Sequence, residues 1–205
     1  MRLGMVIDLK RCIGCYGCQI ACKAEHGTRP GTTYARVVKR EWGEYPNVHK
    51  LSIPVLCMHC GEPPCVDVCP TGASQKREQD GIVFIESDWC VGCRACTMAC
   101  PYGARYFQDE AHDYFGLGEA SPGYEQARYV AHQRGVVEKC DFCRSRLETG
   151  REPACSANCM CKARIFGDLD DPHSEVSRLI REEGGFQLEP ELGTDPSVYY
   201  LPPDR

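Results

Sequence analysis

Short runs of aliphatic and β-branched residues recur along the chain, each beside a group of cysteines. Four runs of strand length precede such groups: LGMVID at 3–8, KLSIPVL at 50–56, GIVFIE at 81–86 and GVVEK at 135–139. Two more runs, ARYF at 104–107 and ARIFG at 163–167, follow groups and indicate return strands. Runs rich in Val, Ile and Leu are typical of strands. The pattern therefore predicts a repeated unit of strand, cysteine loop, short helix and strand.

A better-marked helix is predicted near the C-terminus. Asp171 is expected to cap it, Pro172 suits its first turn, and a Gly-Gly pair at 184–185 should end it. Its apolar positions predict one packing face and are Val176, Leu179 and Ile180. The following stretch, EPELGTDPSVYYLPPDR, is expected to form an extended tail laid over the surface.

The stretch 108–135 differs from the rest because it combines turn residues, acids and many aromatic and histidine side chains. Its aromatic and histidine residues include His112, Tyr114, Phe115, Tyr124, Tyr129 and His132. Inserted loops of this length are usually functional or disordered. Two interpretations remain open, a lobe that docks on a partner and a simple surface excursion.

The composition is dominated by 17 cysteines in 205 residues, a density that predicts disulfides, zinc sites or iron–sulfur clusters. The opening MRLGMVIDLKRC has no apolar signal stretch and the cysteine count is odd, which argues against a fully paired disulfide scaffold. No run approaches the roughly 18 apolar residues of a membrane span. The net charge of −5, without a basic stripe, gives no indication of nucleic-acid binding.

Sixteen cysteines fall into four groups of four: Cys12, Cys15, Cys18, Cys22; Cys57, Cys60, Cys65, Cys69; Cys90, Cys93, Cys96, Cys100; and Cys140, Cys143, Cys155, Cys159. The third group has the spacing C-x2-C-x2-C-x3-C-P, in which three cysteines hold one cubane and the fourth reaches a second cluster. The first group has the same spacing, whereas the second and fourth widen one gap. This pattern predicts four [4Fe–4S] clusters. Zinc remains an alternative for the fourth group, whose pair-plus-pair form suits a tetrahedral site.

Because fourth ligands cross over in ferredoxins, the second and third groups are expected to pair, and so are the first and fourth. The predicted ligand sets are set 1 (Cys12, Cys15, Cys18, Cys159), set 2 (Cys57, Cys60, Cys65, Cys100), set 3 (Cys90, Cys93, Cys96, Cys69) and set 4 (Cys140, Cys143, Cys155, Cys22). No catalytic residue is predicted, since every ligand position is a cysteine and no nucleophile–base pair is evident.

Several residues near the ligands have open roles. Cys161 is outside the sets and is interpreted as a small buried residue or, alternatively, as a ligand that replaces Cys159. His59 is expected to be a spacer or hydrogen-bonding group rather than a ligand. Cations near the groups could stabilise the negative clusters or could be ordinary surface charge, and they are Lys23, Arg94, Lys139, Arg144 and Arg146.

Three segments point to a family: C-M-H-C-G-E-P-P-C-V-D-V-C-P-T-G-A, C-P-Y-G-A-R-Y and A-R-I-F-G-D-L-D-D-P. They resemble the four-cluster iron–sulfur subunits of molybdopterin oxidoreductases, the small partners in polysulfide, thiosulfate, dimethyl sulfoxide and respiratory arsenate reductases. The opening residues and the tail are also similar, so the resemblance covers nearly the whole chain. One departure is Met160, which follows Cys159 where family members usually have proline.

The resemblance implies a non-catalytic subunit that passes single electrons between a large molybdopterin subunit, with molybdenum or tungsten, and a separate membrane-anchor subunit that reacts with quinone or quinol. A free-standing soluble polyferredoxin and a zinc-stabilised binding module are the alternatives. The clusters are expected to be assembled in the cytoplasm. The final site is expected to be either the periplasmic face of the membrane, by co-export with a catalytic subunit, or the cytoplasm.

The predicted fold class is α+β, with two bacterial-ferredoxin-like modules of two clusters each, connecting loops and an extended C-terminal tail. Module A combines residues 1–50 with 136–170, and module B comprises 51–107. Residues 108–135 form the inserted loop, and 171–205 form the C-terminal helix and tail.

Overall fold

The fold is a mixture of short helices and short strands, described by a computed structural model that covers residues 1–109, 114–115, 122–129 and 132–203. The strands are β1 Leu3–Asp8, β2 Arg36–Trp42, β3 His49–Val55, β4 Ser74–Lys76, β5 Val83–Ile85, β6 Tyr106–Phe107, β7 Val137–Glu138, β8 Arg164–Asp168 and β9 Val198–Leu201. The helices are α1 Gly17–His26, α2 Pro64–Asp67, α3 Ala95–Ala99, α4 Gly123–Tyr129, α5 Arg144–Leu147, α6 Ala154–Ala157 and α7 Glu175–Glu182. Short 3₁₀ turns lie at Ser87–Trp89 and Pro190–Leu192.

The central element is β1, which lies between β8 and β9 in a three-stranded sheet. It pairs antiparallel with β8, with Leu3 opposite Asp168, and parallel with β9, with Met5 opposite Val198. Both faces of β1 are covered, so Met5, Val6 and Ile7 are completely buried. The two ends of the chain are therefore joined in one sheet, and the main core is built around them.

The prediction of a surface tail after the C-terminal helix is wrong. Val198 and Tyr200 in β9 are fully buried, and Tyr200 donates a hydrogen bond to the carbonyl of Pro54 at 2.9 Å. Ser197 also donates to the carbonyl of His59 at 2.7 Å. The strand has only four residues, and the Pro and Asp residues that flank it are typical of loops, so the sequence pattern did not predict it. Its β-branched and aromatic residues are stabilised as a strand by pairing with β1.

The C-terminal helix exists, but its predicted start is wrong. Ser174, not Asp171, is the N-cap, because the Ser174 hydroxyl accepts a hydrogen bond from the Ser177 N–H at 3.2 Å. The carboxylate of Asp171 instead accepts from the N–H of His173 in the turn before the helix. The predicted apolar face is confirmed, since Val176 and Leu179 are buried in a small cluster with Val6.

Every strand predicted beside a cysteine group is present, although several are shorter than their sequence runs. The runs before the second and fourth groups give β3 and β7, and the return strands give β6 and β8. The sequence pattern missed β2, which pairs with β3 from Arg36 opposite Val55 to Trp42 opposite His49. The tip of this hairpin is exposed on both faces, so its residues lack the alternation of apolar and polar positions by which a half-buried strand is recognised.

The described part of the inserted stretch contains α4 and two anchor points. His132 bridges the carboxylate of Glu138 and the carbonyl of His26, each at 2.7 Å. The Lys23 ammonium lies 5.4 Å from the centre of the Tyr114 ring. His112, named among the aromatic and histidine residues of this stretch, lies outside the described residues, and the interpretation as a docking lobe stays a prediction.

In the described parts of the chain, none of the helices is long and apolar enough to cross a bilayer.

Gly4 tests the joining of the chain ends. A Cβ at this position would lie 2.5 Å from both the carbonyl oxygen of Ser197 and Cδ1 of Leu169, so Gly4→Ala should destabilise the sheet by about 1–3 kcal/mol, the usual range for overpacking. Anaerobic urea unfolding followed by circular dichroism measures the change. Gly123→Ala is the matched control, because a Cβ there meets none of the described residues within 4 Å. Equal stability of the two variants would contradict the proposed role of Gly4.

Candidate iron–sulfur sites

The cysteines of set 1 come from distant parts of the chain and line one cavity. Cys12, Cys15 and Cys18 lie on the loop after β1 and the start of α1, and Cys159 follows α6. The structure thus brings Cys159 to the first group, as the crossover pairing expects. Cys161 lines the same cavity, where Arg164 forms part of the wall.

The cysteines of set 2 line a second cavity, and Cys100 of the third group lies there beside the first three cysteines of the second group. Pro63, Pro64 and Pro101 contribute to the wall. Burial raises the pKa of Cys60 to about 12, and the neighbouring thiols of Cys57, Cys65 and Cys100 contribute to that rise. Four thiols confined in one apolar cavity need a positively charged partner to ionise together.

The cysteines of set 4 are all buried. Burial raises the pKa of Cys140 well above its ordinary value, and the nearby thiols of Cys22, Cys143 and Cys155 raise it further. Cys22 belongs to α1 and so reaches this set from the first group. The packing of α1 against α6 supports that approach.

Set 3 is positioned by its own loop and by β4. Cys90 and Cys93 precede α3 and Cys96 lies within it, while Cys69 accepts a hydrogen bond from the Ser74 N–H at 3.3 Å. Cys93 is exposed and Cys96 is buried. The meeting of Cys69 with the other three stays a prediction.

All four cysteine groups turn their backbone in the same way. The residue before the second cysteine has a positive φ in each group, and these residues are Gly14 (67°), His59 (43°), Gly92 (68°) and Phe142 (55°). Left-handed residues within a turn direct successive N–H groups to one side and create concave anion sites, as at many iron–sulfur centres. Because the conformation is unfavourable for His59 and Phe142, about 1–3 kcal/mol of strain at each must be offset by their surroundings.

His59 and Phe142 meet each other at the contact between sets 2 and 4. Their rings are stacked with centroids 3.7 Å apart, and both side chains are fully buried. Nδ1 of His59 accepts a hydrogen bond from the Val83 N–H at 3.1 Å. The imidazole is therefore a packing and hydrogen-bonding group, and burial holds the pKa of His59 well below its ordinary value.

The cations singled out beside the cysteine groups interact mainly with other groups. Lys23 donates to the carbonyls of Thr28, Arg29 and Thr32, and Lys139 donates to those of Val83 and Cys140. The remaining three contact an aromatic ring or a carboxylate: Arg94 lies over Phe107, Arg144 over Phe84, and Arg146 pairs with Glu25 at 2.9 Å.

Two arginines that sequence reasoning did not select contact the thiols instead. Arg105 donates to Sγ of Cys65 at 2.8 Å, and Arg164 donates to Sγ of Cys155 at 3.6 Å. Both guanidinium groups are buried. The sequence feature that could have identified them is the Ala-Arg pair, which begins both predicted return strands.

The arrangement of the thiols in the sets does not suit a single metal ion. A tetrahedral zinc site would instead draw its four sulfurs to about 2.3 Å from one ion. Among the residues that the structure describes, no three His, Cys, Asp or Glu side chains converge in that manner. The all-thiolate donor sets fit [4Fe–4S] clusters.

Comparison with known proteins agrees with this chemistry. The 4Fe-4S dicluster domain family matches residues 48–115 and 117–169, and a 4Fe-4S binding domain matches residues 9–28. The chain is 41% identical to the arsenate respiratory reductase iron-sulfur subunit ArrB of Shewanella sp. (strain ANA-3), over 98% of this chain and 96% of that protein. It is 44% identical to a selenate reductase subunit of Mesobacillus selenatarsenatis, over 96% and 70% of the two chains.

A sulfite dehydrogenase subunit of Allochromatium vinosum is a third relative, 40% identical over 98% of this chain and 83% of its own length. The site and the matched domains define a ferredoxin-like protein that binds [4Fe–4S] clusters. The chain belongs to the family of iron–sulfur subunits of molybdopterin oxidoreductases.

Pairs of cysteine substitutions test the crossover between the first and fourth groups. If Cys22 belongs to set 4, the double variant Cys22→Ala with Cys143→Ala should lose one cluster, or about four iron atoms per chain. The matched variant Cys22→Ala with Cys12→Ala should lose two clusters, or about eight iron atoms. Iron and acid-labile sulfide analysis of anaerobically purified protein measures both. The opposite order of losses would show that Cys22 serves the first group.

Proposed function

We propose that this chain is a non-catalytic electron-transfer subunit that relays single electrons through four [4Fe–4S] clusters. The electrons pass between a large molybdopterin catalytic subunit, with molybdenum or tungsten, and a separate membrane-anchor subunit that reacts with quinone or quinol. The observation that carries this proposal is the graded burial of the four cysteine sets. Two sets are enclosed in the interior, and each of the other two includes a cysteine exposed at the surface.

The inner pair consists of sets 2 and 4. All of set 4 and three members of set 2 are buried. Burial and the thiols of its own set are the larger causes of the raised pKa of Cys140 in set 4, but the thiol of Cys57 in set 2 is close enough to contribute. The stacked rings of His59 and Phe142 lie between them. This proximity supports electron transfer from one predicted module to the other.

The outer pair consists of sets 1 and 3. Cys15 and Cys93 are exposed, and exposed apolar residues follow or precede ligands of the same sets along the chain. Ile13 and Met160 beside set 1 are 66% and 74% exposed, and Val91 and Met98 beside set 3 are 68% and 87% exposed. Exposed apolar residues grouped at a functional site mark a protein–protein contact. Two such surfaces, one at each outer set, are what a relay between two partners requires.

When bound, the clusters would supply one-electron redox chemistry. The chain's own residues perform the remaining tasks. Sixteen thiolates hold the clusters, as sets 1 to 4 describe, and the left-handed turns direct backbone N–H groups towards them. The burial of sets 2 and 4 excludes water from the middle of the relay, which limits the loss of electrons to solvent oxidants.

The relatives support the partner assignment. They include an iron-sulfur subunit of an arsenate respiratory reductase and subunits of a selenate reductase and a sulfite dehydrogenase, all of them parts of oxidoreductases. A free-standing polyferredoxin is the second candidate, favoured only by the exposure of two cysteine sets, which would also suit brief collisions with soluble enzymes.

For location, we propose that the clusters are inserted in the cytoplasm, where iron and sulfide are supplied. The assembled subunit then either stays in the cytoplasm or is carried to the periplasmic face of the membrane by a catalytic subunit with an export signal. Fractionation of cells that produce the whole complex distinguishes the two locations.

The test of the proposed function is anaerobic production of this chain together with the proteins encoded by neighbouring genes. We expect about sixteen iron and sixteen sulfide per chain, and co-purification of a large subunit that contains molybdenum or tungsten with pterin. Stepwise reduction followed by EPR should give interacting S = 1/2 signals. A content of about twelve iron atoms per chain would indicate three clusters rather than four. A fully loaded chain that never retains a large subunit would favour the polyferredoxin.

A charge introduced at each exposed apolar end tests the two-ended relay. Met160→Glu beside set 1 and Met98→Glu beside set 3 should each weaken binding to one partner by at least about tenfold, because a carboxylate must then be desolvated in an apolar contact. Pull-down and electron-exchange rates with each partner measure the effect. The variants should fail with different partners, and failure of both with the same partner would contradict a relay with separate ends. Tyr45→Glu, at the exposed tip of the β2–β3 hairpin, is the control.

A further inference from the structure

The two halves of the cysteine framework each contain one buried arginine at an equivalent place. Arg105 lies five residues after Cys100, and Arg164 lies five residues after Cys159, each preceded by alanine. The two side chains are only 4% and 3% exposed. Arg105 comes just before β6 and Arg164 begins β8, so both stand at the start of the return strand that follows a cysteine group.

Arg105 lies between sets 2 and 3. Its Nη2 donates to Sγ of Cys65 in set 2 at 2.8 Å and to the Ser74 hydroxyl at 2.7 Å. Ser74 in turn donates its N–H to Sγ of Cys69 in set 3 at 3.3 Å. One guanidinium is therefore connected to two different ligand sets.

Arg164 occupies the corresponding position between sets 1 and 4. It lines the cavity of set 1, and its Nη1 lies 3.6 Å from Sγ of Cys155 in set 4. The cavity that it lines contains all four thiols of set 1, so this guanidinium also adjoins two ligand sets.

Neither guanidinium forms an ion pair with a carboxylate among the described residues. Nη1 of Arg105, and Nε and Nη2 of Arg164, also have no hydrogen-bond acceptor in that part of the chain. A buried charge without a partner is very costly. The positions are stable only if negative charge is present where these N–H groups point, and both side chains face cysteine sets.

Arg146 provides a comparison, because it is an arginine near a cysteine set whose charge is paired with a carboxylate. It lies close to Cys143, but its Nη1 pairs with the carboxylate of Glu25 at 2.9 Å and its Nε donates to the carbonyl of Glu152 at 2.7 Å. Its charge is thus already balanced by protein groups. The contrast separates Arg105 and Arg164 from Arg146.

We propose that Arg105 and Arg164 are shared counter-cations, each wedged between the two clusters of one half of the framework, and that each raises the reduction potentials of both clusters beside it. This inference rests on the cluster assignment proposed above. Added electrons make a thiolate-bound cluster more negative, so a fixed guanidinium beside it stabilises the reduced state. Because one cation serves two clusters, its attraction offsets part of the repulsion between their added electrons.

The test is a potentiometric titration followed by EPR on the complete anaerobically purified protein. Each step adds one electron from dithionite to one cluster, with no bond made or broken. Arg105→Gln should lower the potentials of the clusters of sets 2 and 3 by at least a tenfold change in the reduction equilibrium, which is about 59 mV for one electron. The clusters of sets 1 and 4 should stay unchanged. Arg164→Gln should give the converse pattern.

The glutamine keeps N–H donors and removes the charge, so it separates charge from hydrogen bonding. Arg105→Lys and Arg164→Lys keep the charge and should restore the potentials at least in part. The matched control is Arg146→Met with Glu25→Gln, which removes a balanced pair near set 4 and should move no potential. If a glutamine variant fails to load, the lysine variant at the same position must load at near wild-type potentials for the proposal to stand.

The outcomes distinguish the two proposals. Wild-type protein with far fewer than about sixteen iron atoms would overturn the four-cluster assignment before any variant is made. Fully loaded glutamine variants with wild-type potentials would overturn the role of the arginines and leave the relay intact. A shift of all four clusters by either variant would also contradict the proposal, because it predicts that each arginine acts on its own pair.

Discussion

Like-charged thiolates from distant parts of the chain must be held together in apolar surroundings, and the rest of the structure depends on meeting this constraint. Cys12 and Cys159 line one cavity although they lie near opposite ends of the sequence. Burial and mutual proximity raise the pKa of the enclosed thiols, as for Cys140 and Cys60. An ionised set is therefore stable only with a cluster that takes up its charge and with cations close by.

The sheet and the turns both serve this requirement. β1 carries the chain into the first cysteine group, β8 returns from the fourth, and their antiparallel pairing keeps the two groups side by side. Within each group a left-handed residue just before the second cysteine curls the backbone around the thiols. In two groups this residue is glycine, and in the other two it is His59 or Phe142. The left-handed turns place the rings of His59 and Phe142 against each other, so the stacked rings connect the inner sets.

The parts that the sequence predicted well are those that depend on local spacing. The cysteine groups, the strands before them and the apolar face of α7 could be read from short segments. The buried strand β9 could not, because Val198 and Tyr200 are stabilised by a partner at the other end of the chain. The roles of Arg105 and Arg164 were missed for a related reason, since sequence order shows an arginine next to a cysteine group but not which way its side chain points. Cations adjacent to ligands in sequence, such as Lys23, have their charge directed elsewhere.

The position of β9 has a consequence for biosynthesis. All the cysteines of sets 2 and 3 lie within residues 57–100, so the polypeptide that carries them leaves the ribosome as one continuous piece. Sets 1 and 4 must wait for Cys155 and Cys159, and the strand that pairs with Met5 and Ile7 is translated later still. With the proposed ligand sets, maturation is ordered in time: the middle of the protein can receive its iron early in synthesis, whereas the half that contains β1 is completed only after β9 has been translated.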